Sequence, residues 1–129
     1  MKQKVTLTGI NIQFPISRLI LAGEKVMETR TYPIPEQYVK KRMYLVETPG
    51  KSGKFRSRIV AYITFDRSFP YPDAAAFYND LAKHCVSRDS PWAWVEKKKK
   101  WGWPIISIMP LKYPRALTKR PGIRFTKNL

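Results

Sequence analysis

Histidine and cysteine are nearly absent from this chain, and their scarcity excludes several kinds of site. The 129 residues include one histidine, His84, and one cysteine, Cys85. A zinc site needs about four His, Cys or carboxylate ligands, so we expect no metal. A single cysteine cannot form an intramolecular disulfide, which favours a reducing, cytoplasmic compartment. Neighbours on a helix point about 100° apart, so we expect Cys85 in the core and His84 at its margin rather than a catalytic pair.

Long apolar runs and cofactor motifs are missing as well. No segment approaches the ~20 apolar residues of a membrane span, because polar residues and a proline interrupt the stretch 10–22. The sequence contains no Walker loop, no dinucleotide fingerprint and no Gly-x-Ser-x-Gly elbow. We therefore expect no cofactor and no membrane partner. Any catalysis would depend on Lys, Glu, Thr, Ser or Tyr side chains.

Acidic residues are few, and basic residues are many. Lys and Arg total 25 against nine Asp and Glu, which gives a formal net charge of +16. Such an excess is self-repelling in a folded chain, and a polyanionic partner relieves it. Nucleic acid is the expected partner, with counterion release supplying much of the affinity. Two alternatives stay open: a basic protein without a specific anionic partner, and an anionic membrane surface, for which no long basic amphipathic helix is visible.

Apolar spacing and turn residues predict one α+β domain over residues 1–129, which we expect to be a monomer. A short helix is predicted over 15–23, with Ser17 as its N-cap and Gly23 as its left-handed stop. A second helix is predicted from Asp73 to about Cys85, with Ala74, Phe77, Leu81 and Cys85 on its buried face. Strands are predicted over 26–31, 43–48, 58–65, 92–95, 105–109 and 123–126. Short strands outnumber helices, which favours a strongly curled, mostly antiparallel sheet with helices at its ends or sides.

The segment after the first predicted helix concentrates charged side chains. Alternation along a strand places Glu28 and Arg30 on the same face. Lys25 belongs to the turn that the Gly23 stop creates. The three side chains are therefore predicted to converge on one cleft.

Residues 23–30, Gly-Glu-Lys-Val-Met-Glu-Thr-Arg, together with the preceding helix, resemble the signature of the ASCH domain family in the PUA-like superfamily. Three other features are similar to that family: the strand and turn over 44–53, the strand 59–65 with a helical excursion after it, and a strand at 92–94 with Pro104 beyond it. The resemblance covers nearly the whole chain. It implies a PUA-like curled β-barrel of five to six mostly antiparallel strands with two or more flanking helices. It also implies a cleft beside the signature and RNA or modified nucleosides as ligands.

The resemblance leaves binding and catalysis both open. Some members of that family hydrolyse an acylated cytidine through a Lys, a Thr and a Glu, some are metal-dependent ribonucleases, and others bind RNA. Lys25 matches the catalytic lysine of the hydrolases, but Glu28 stands where they carry Thr, and Thr29 is adjacent. We expect binding ahead of catalysis, and Lys25, Glu28 and Thr29 are the candidate catalytic residues. A modified-DNA reader of the same superfamily is a further alternative.

Tryptophans and lysines alternate in the last third of the chain. Four tryptophans lie within 92–103 around the run Lys97 to Lys100, a pattern typical of single-strand binders, in which bases stack on aromatic rings at ~1–3 kcal/mol each. Trp94 is expected in the core or a cleft wall, and Trp101 and Trp103 are the candidates for exposure. RNA is favoured over DNA. The predicted nucleic-acid contacts are Ser17, Lys25, Glu28, Arg30, Trp94, Lys97, Lys98, Lys99, Lys100, Trp101, Lys119, Arg120 and Arg124.

Overall fold

A curled mixed sheet dominates residues 6–129, the part of the chain that a computed structural model describes. Residues 1–5, which the single-domain prediction includes, lie outside the described residues. The strands are β1 (Gly9–Gln13), β2 (Met27–Arg30), β3 (Arg42–Thr48), β4 (Arg58–Phe65), β5 (Phe69–Pro70), β6 (Trp101–Ala116) and β7 (Phe125–Thr126). They follow the order β2-β6-β4-β3-β1-β7, and the short β5 also pairs with β6. Only the β1–β3 pair is parallel among the described strands, so the predicted curled, mostly antiparallel sheet is confirmed.

The main core lies on the concave face of this sheet. Strand alternation sends Met43 and Leu45 of β3, and Ile63 and Phe65 of β4, into the same buried cluster. Trp103 is also fully buried there, and its indole N–H donates to the Tyr32 carbonyl at 3.1 Å. The predicted exposure of Trp103 was wrong. The residue lies within β6 between β2 and β4 rather than in the charged loop before it.

Helix α1 (Ile16–Leu21) follows β1 and ends as predicted. Gly23 takes a left-handed conformation with φ of +78°. The predicted N-cap was wrong, because Pro15 occupies the cap position and Ser17 lies inside the first turn. Ser17 is fully buried, and its hydroxyl donates to Glu47 Oε2 at 2.6 Å.

The second predicted helix divides into α2 (Ala74–Asn79) and α3 (Leu81–His84) at Asp80. The break interrupts the helical repeat, so residues after Asp80 do not extend the apolar face that starts with α2. Of the predicted face only Phe77 is buried. His84 is fully buried, whereas Cys85 is partly exposed and left-handed, so their predicted places were reversed.

Two strand predictions need correction, and one of the main strands was missed. Residues 92–95 form a turn and irregular backbone instead of a strand, and Val95 makes only an isolated bridge to Lys98. Strand β1 was not predicted, although Ile10 and Ile12 alternate in it. Strand β6 is much longer than the predicted 105–109. A regular ladder would exclude Pro110, but the pairing of β6 with β4 is irregular, and one register shift borders this proline. The irregular pairing therefore allows the strand to continue past it.

No helix within residues 6–129 is both long and apolar enough to span a lipid bilayer.

Candidate functional site

A cleft of about 440 Å³ opens at the seam where the curled sheet nearly closes on itself. Strands β1 and β2 lie toward opposite ends of the strand order, but curling brings them together, and Arg30 Nη2 donates to the Asn11 carbonyl at 2.9 Å. The volume falls within the ~300–1,000 Å³ typical of small-molecule sites. It is lined by residues of β1 and β2, by the loop after β2, by the segment between α3 and β6, and by the segment before β7.

Lys25, Glu28 and Arg30 form an ion-pair triad on the wall of this cleft. The turn after Gly23 is fixed by hydrogen bonds from the Glu24 and Lys25 amides to the Leu19 carbonyl, which directs the Lys25 side chain inward. Lys25 Nζ lies 3.6 Å from Glu28 Oε1, and Arg30 Nη2 lies 3.0 Å from Glu28 Oε2. The lysine is 3% exposed and the glutamate 6%. The convergence expected from strand alternation is therefore present in the structure.

The triad satisfies itself almost completely. Glu28 accepts hydrogen bonds from the Thr29 amide and from two nitrogens of Arg30, in addition to the ion pair with Lys25. A carboxylate offers about four lone-pair sites, so Glu28 has little capacity left for a ligand. Arg30 also donates to Tyr32 and Asn11, and Lys25 donates to the His84 carbonyl. The triad therefore shapes the wall and fixes the seam.

Burial and mutual charge set the ionisation of this triad. Burial raises the pKa of Glu28, but the charges and hydrogen bonds of Arg30 and Lys25 outweigh it, so the pKa lies below its ordinary value. Burial lowers the pKa of Lys25, and the attraction of Glu28 offsets only part of this effect. Glu28 is accordingly a fixed anion, and Lys25 is the group whose proton is more easily lost.

Two further cations and two aromatic rings complete the lining. Lys100, immediately before β6, is 6% exposed, and the guanidinium of Arg124 lies 4.2 Å from the centroid of the Tyr32 ring. Trp92 is 42% exposed and lies at the cleft wall. Trp92 and Tyr32 were not among the predicted contacts. A Ser-Pro dipeptide at 90–91 marks the turn that presents Trp92, and this is the only sequence signal that could have singled it out.

The structure places the predicted site residues in two groups. Those that line the cleft are Lys25, Glu28, Thr29, Arg30, Lys100 and Arg124. Those that do not line it are Ser17, Trp94, Lys97, Lys98, Lys99, Trp101, Lys119 and Arg120.

The second group lies apart for identifiable reasons. Ser17 is fully buried and has no surface to offer a ligand. Trp94 packs against Phe77 with ring centroids 5.7 Å apart, and Trp101 packs on the main core. Lys97, Lys98 and Lys99 project from an exposed turn, Arg120 is exposed away from the cleft, and Lys119 donates to the Lys127 carbonyl.

His84 lies behind the triad, and both nitrogens of its ring are used in hydrogen bonds within the fold. Its Nε2 donates to the Phe77 carbonyl at 2.7 Å, because Nδ1 accepts from the Val86 amide at 2.9 Å. Burial, reinforced by the charges of Lys25 and Lys100, lowers the pKa of His84. The residue is neutral at physiological pH and has a structural role. Within 6–129 there is no group of three His, Cys, Asp or Glu side chains arranged to hold a metal ion.

Comparisons with known proteins identify the fold. No family model matches the chain, and a search of curated proteins also finds no match. Among solved structures, the chain is similar to ASCH from Zymomonas mobilis, with a TM-score of 0.67 and 15% identity over 93% of this chain and 85% of that one. Two point variants of the same protein match with TM-scores of 0.66 and 0.65, at the same identity, over 88% and 86% of their lengths. The chain therefore has the ASCH domain fold, a PUA-like fold.

Proposed function

We propose that this protein binds RNA and holds one of its nucleobases in the seam cleft. The observation that carries the proposal is the composition of that cleft: cations and aromatic rings line one opening in a protein with a net charge of +16. Aromatic rings with basic side chains are what unpaired RNA requires, because bases stack on the rings while cations meet the phosphates. The ASCH domain fold is consistent with this function.

Each part of the cleft has a distinct role in the proposal. Trp92, which is 42% exposed, offers a ring face for the base, and Tyr32 lines the wall of the cleft. Arg124, stacked on Tyr32 at the outer lip, meets the backbone of the RNA. The triad Lys25–Glu28–Arg30 fixes the seam, and Lys25, held by Glu28 and the His84 carbonyl, forms part of the wall that meets the base.

Fluorescence anisotropy with a labelled single-stranded RNA tests the proposal. We expect the affinity to fall steeply between about 50 and 200 mM salt, as phosphate neutralisation requires. Trp92→Ala should weaken binding by about tenfold, the loss of one base stack of ~1–3 kcal/mol. Trp101→Ala, a tryptophan outside the cleft, is the matched control and should bind RNA as the parent protein does.

Two results would contradict the proposal. One is an affinity that does not change with salt. The other is an equal loss in Trp92→Ala and Trp101→Ala. Single-stranded DNA of the same sequence provides a competition arm, and DNA that competes better than RNA would favour a modified-DNA reader.

A hydrolase that acts on an acylated cytidine is a second candidate, and the state of Lys25 favours it. A buried lysine with a lowered pKa can accept a proton from water, which then adds to the acyl carbon while the exocyclic amine leaves with a proton. Glu28 would orient Lys25, and Thr29 lies beside it on the cleft wall. Release of acetate from acetylcytidine by the parent protein, abolished in Lys25→Ala, would support it. No release from acetylcytidine and no cleavage of RNA would leave binding alone.

A further inference from the structure

Lys100 is a largely buried residue of the seam cleft, and its ammonium has no ion-pair partner among the described residues. The residue as a whole is 6% exposed and lines the cleft. Within residues 6–129 no carboxylate or carbonyl oxygen pairs with its Nζ, and the one charge that acts on it is the like charge of Lys98. Burial and that repulsion together lower the pKa of Lys100. The other buried lysine of the cleft, Lys25, is by contrast held by Glu28 and the His84 carbonyl.

The position of Lys100 is fixed by its backbone. Its carbonyl accepts from the Tyr71 amide at 2.9 Å, and the next residue, Trp101, pairs with Pro70 in the β5–β6 ladder. The preceding lysines, 97–99, are exposed. The fold therefore holds one lysine of the run inward while its neighbours remain in water.

An ammonium that loses part of its hydration is less stable unless an anion compensates it, and the cleft lining contains no free anion. Glu28 is the one carboxylate of the lining, and Lys25 and Arg30 already surround it. Lys100 in the cleft and Arg124 at its lip therefore leave a positive charge without a counter-charge, which a ligand with its own negative charge would neutralise.

We propose that the ligand carries a phosphate group into the cleft, where it pairs with Lys100 Nζ, so that the site recognises a nucleotide and not a nucleoside. This inference rests on the proposed function, because it names the chemical group that accompanies the base. The phosphate belongs either to an internal nucleotide of an RNA chain or to a free mononucleotide. The same charge pairing serves both.

Calorimetric titration of matched ligands tests the inference. The ligands are the four ribonucleosides, their 5′-monophosphates, and trinucleotides without terminal phosphates, each at fixed ionic strength. We expect nucleotides to bind at least tenfold more tightly than the corresponding nucleosides, the size of one charge-assisted hydrogen bond. Trinucleotides that bind more tightly than monophosphates would assign the phosphate to an RNA chain, and the reverse order would assign it to a free nucleotide.

Three variants separate Lys100 from the general positive charge. Lys100→Gln should remove the preference for nucleotides while nucleosides bind as before. Lys99→Gln, which removes the same charge from the exposed neighbour, should retain the preference. Lys100→Arg, which keeps the charge, should also retain it, and it covers the case in which Lys100→Gln does not fold.

The failure of this inference is distinguishable from the failure of the proposed function. Equal binding of nucleosides and nucleotides overturns the role of Lys100 and leaves base binding intact. A preference that survives Lys100→Gln, or that Lys99→Gln also abolishes, overturns it as well. Absence of binding by every nucleoside, nucleotide and RNA overturns both proposals.

Discussion

Glu28 and Glu47 are two buried carboxylates that the fold treats differently. Glu47 is fully buried at the end of β3, where it accepts from Ser17 at 2.6 Å and from Arg58 Nε at 3.0 Å. Glu28 has similar burial, but its cationic partners lie on the cleft wall. Buried carboxylates of both kinds need partners, so burial alone does not mark a functional residue. The open cleft beside Glu28 is what marks this carboxylate as a candidate functional residue.

Glu28→Gln tests how strongly the triad depends on its one anion. The change leaves the buried Lys25 and the largely buried Arg30 without a counter-charge, so we expect the free energy of unfolding to fall by ~3–5 kcal/mol. Urea denaturation measures it. Glu36→Gln is the control, because Glu36 pairs with Arg67 in full contact with solvent and should matter little. Equal effects of the two changes would refute the assigned role of the triad.

Lys100→Met tests whether the unpaired ammonium destabilises the free protein. Methionine keeps most of the side-chain volume and removes the buried charge. We therefore expect a gain in the free energy of unfolding of ~0.5–2 kcal/mol without ligand, the range typical of changes that relieve a functional compromise. Thermal and urea denaturation check it, with Lys99→Met as the exposed counterpart. A loss of stability in Lys100→Met would mean that the ammonium has a partner in the fold.

His84 makes stability depend on pH. Its pKa is lowered in the folded state, chiefly by burial, whereas an unfolded histidine titrates near pH 6.5. The unfolded chain therefore binds more protons below that pH, and the free energy of unfolding should decrease as the pH falls from about 6.5 toward 5. Carboxylates titrate mainly below this window. In His84→Gln the decrease should vanish, and an identical pH profile in that variant would contradict the assignment.

The sequence predicts part of this residue-scale arrangement. The convergence of Lys25, Glu28 and Arg30 followed from strand alternation and the Gly23 stop, both of which are local. Lys100 could not be separated from Lys97, Lys98 and Lys99, because only the β5–β6 pairing turns one lysine inward. The exposure of Trp103 was predicted wrongly for the same reason, because pairing with strands that are distant in sequence decides whether this residue is buried.

At the scale of elements, the turn between α1 and β2 determines where the triad stands. The Glu24 and Lys25 amides donate to the Leu19 carbonyl in α1, and the Val26 amide donates to the backbone carbonyl of Lys83 in α3 at 2.9 Å. The turn is thus fastened to two helices before β2 begins. Its geometry depends on the left-handed backbone of Gly23, which was predictable because glycine favours that conformation at helix ends.

Gly23→Ala tests that dependence. No heavy atom lies within 4 Å of a Cβ added at Gly23, so the cost is purely the backbone conformation at φ of +78°. We expect a loss of ~1–2 kcal/mol in the free energy of unfolding. Gly23→Asn should retain most of the stability, because asparagine tolerates the left-handed region better. Thermal denaturation of both variants measures the difference, and an alanine variant as stable as the parent would contradict the argument.

Element predictions failed where distant contacts decide. Alternation in β1 was visible, but its parallel pairing with β3 depends on the chain passing through α1 and β2 first. The helix pattern from Asp73 to Cys85 was real, yet the chain breaks at Asp80, whose side chain accepts from the Tyr71 hydroxyl at 2.7 Å. That contact lies outside the helical repeat on which the prediction was based.

At the scale of the whole molecule, the sheet and the net charge act together. Curling brings β1 and β2 into contact through Arg30 and creates the seam cleft. The net charge of +16 attracts a polyanion, and in our proposal the seam cleft receives a single base. The fold itself was accessible from the signature at 23–30. The cleft lining was not predictable, because its residues come from separate parts of the sequence that only the curled sheet brings together.

Cross-linking of RNA that carries 4-thiouridine, with the modified peptides identified by mass spectrometry, locates the bound base directly. We expect adducts on peptides that hold Tyr32, Trp92 or Lys100, and we expect these adducts to be lost when excess unlabelled RNA is added. Adducts confined to the exposed lysines 97–99 and to residues 112–120, with none at the seam, would contradict it.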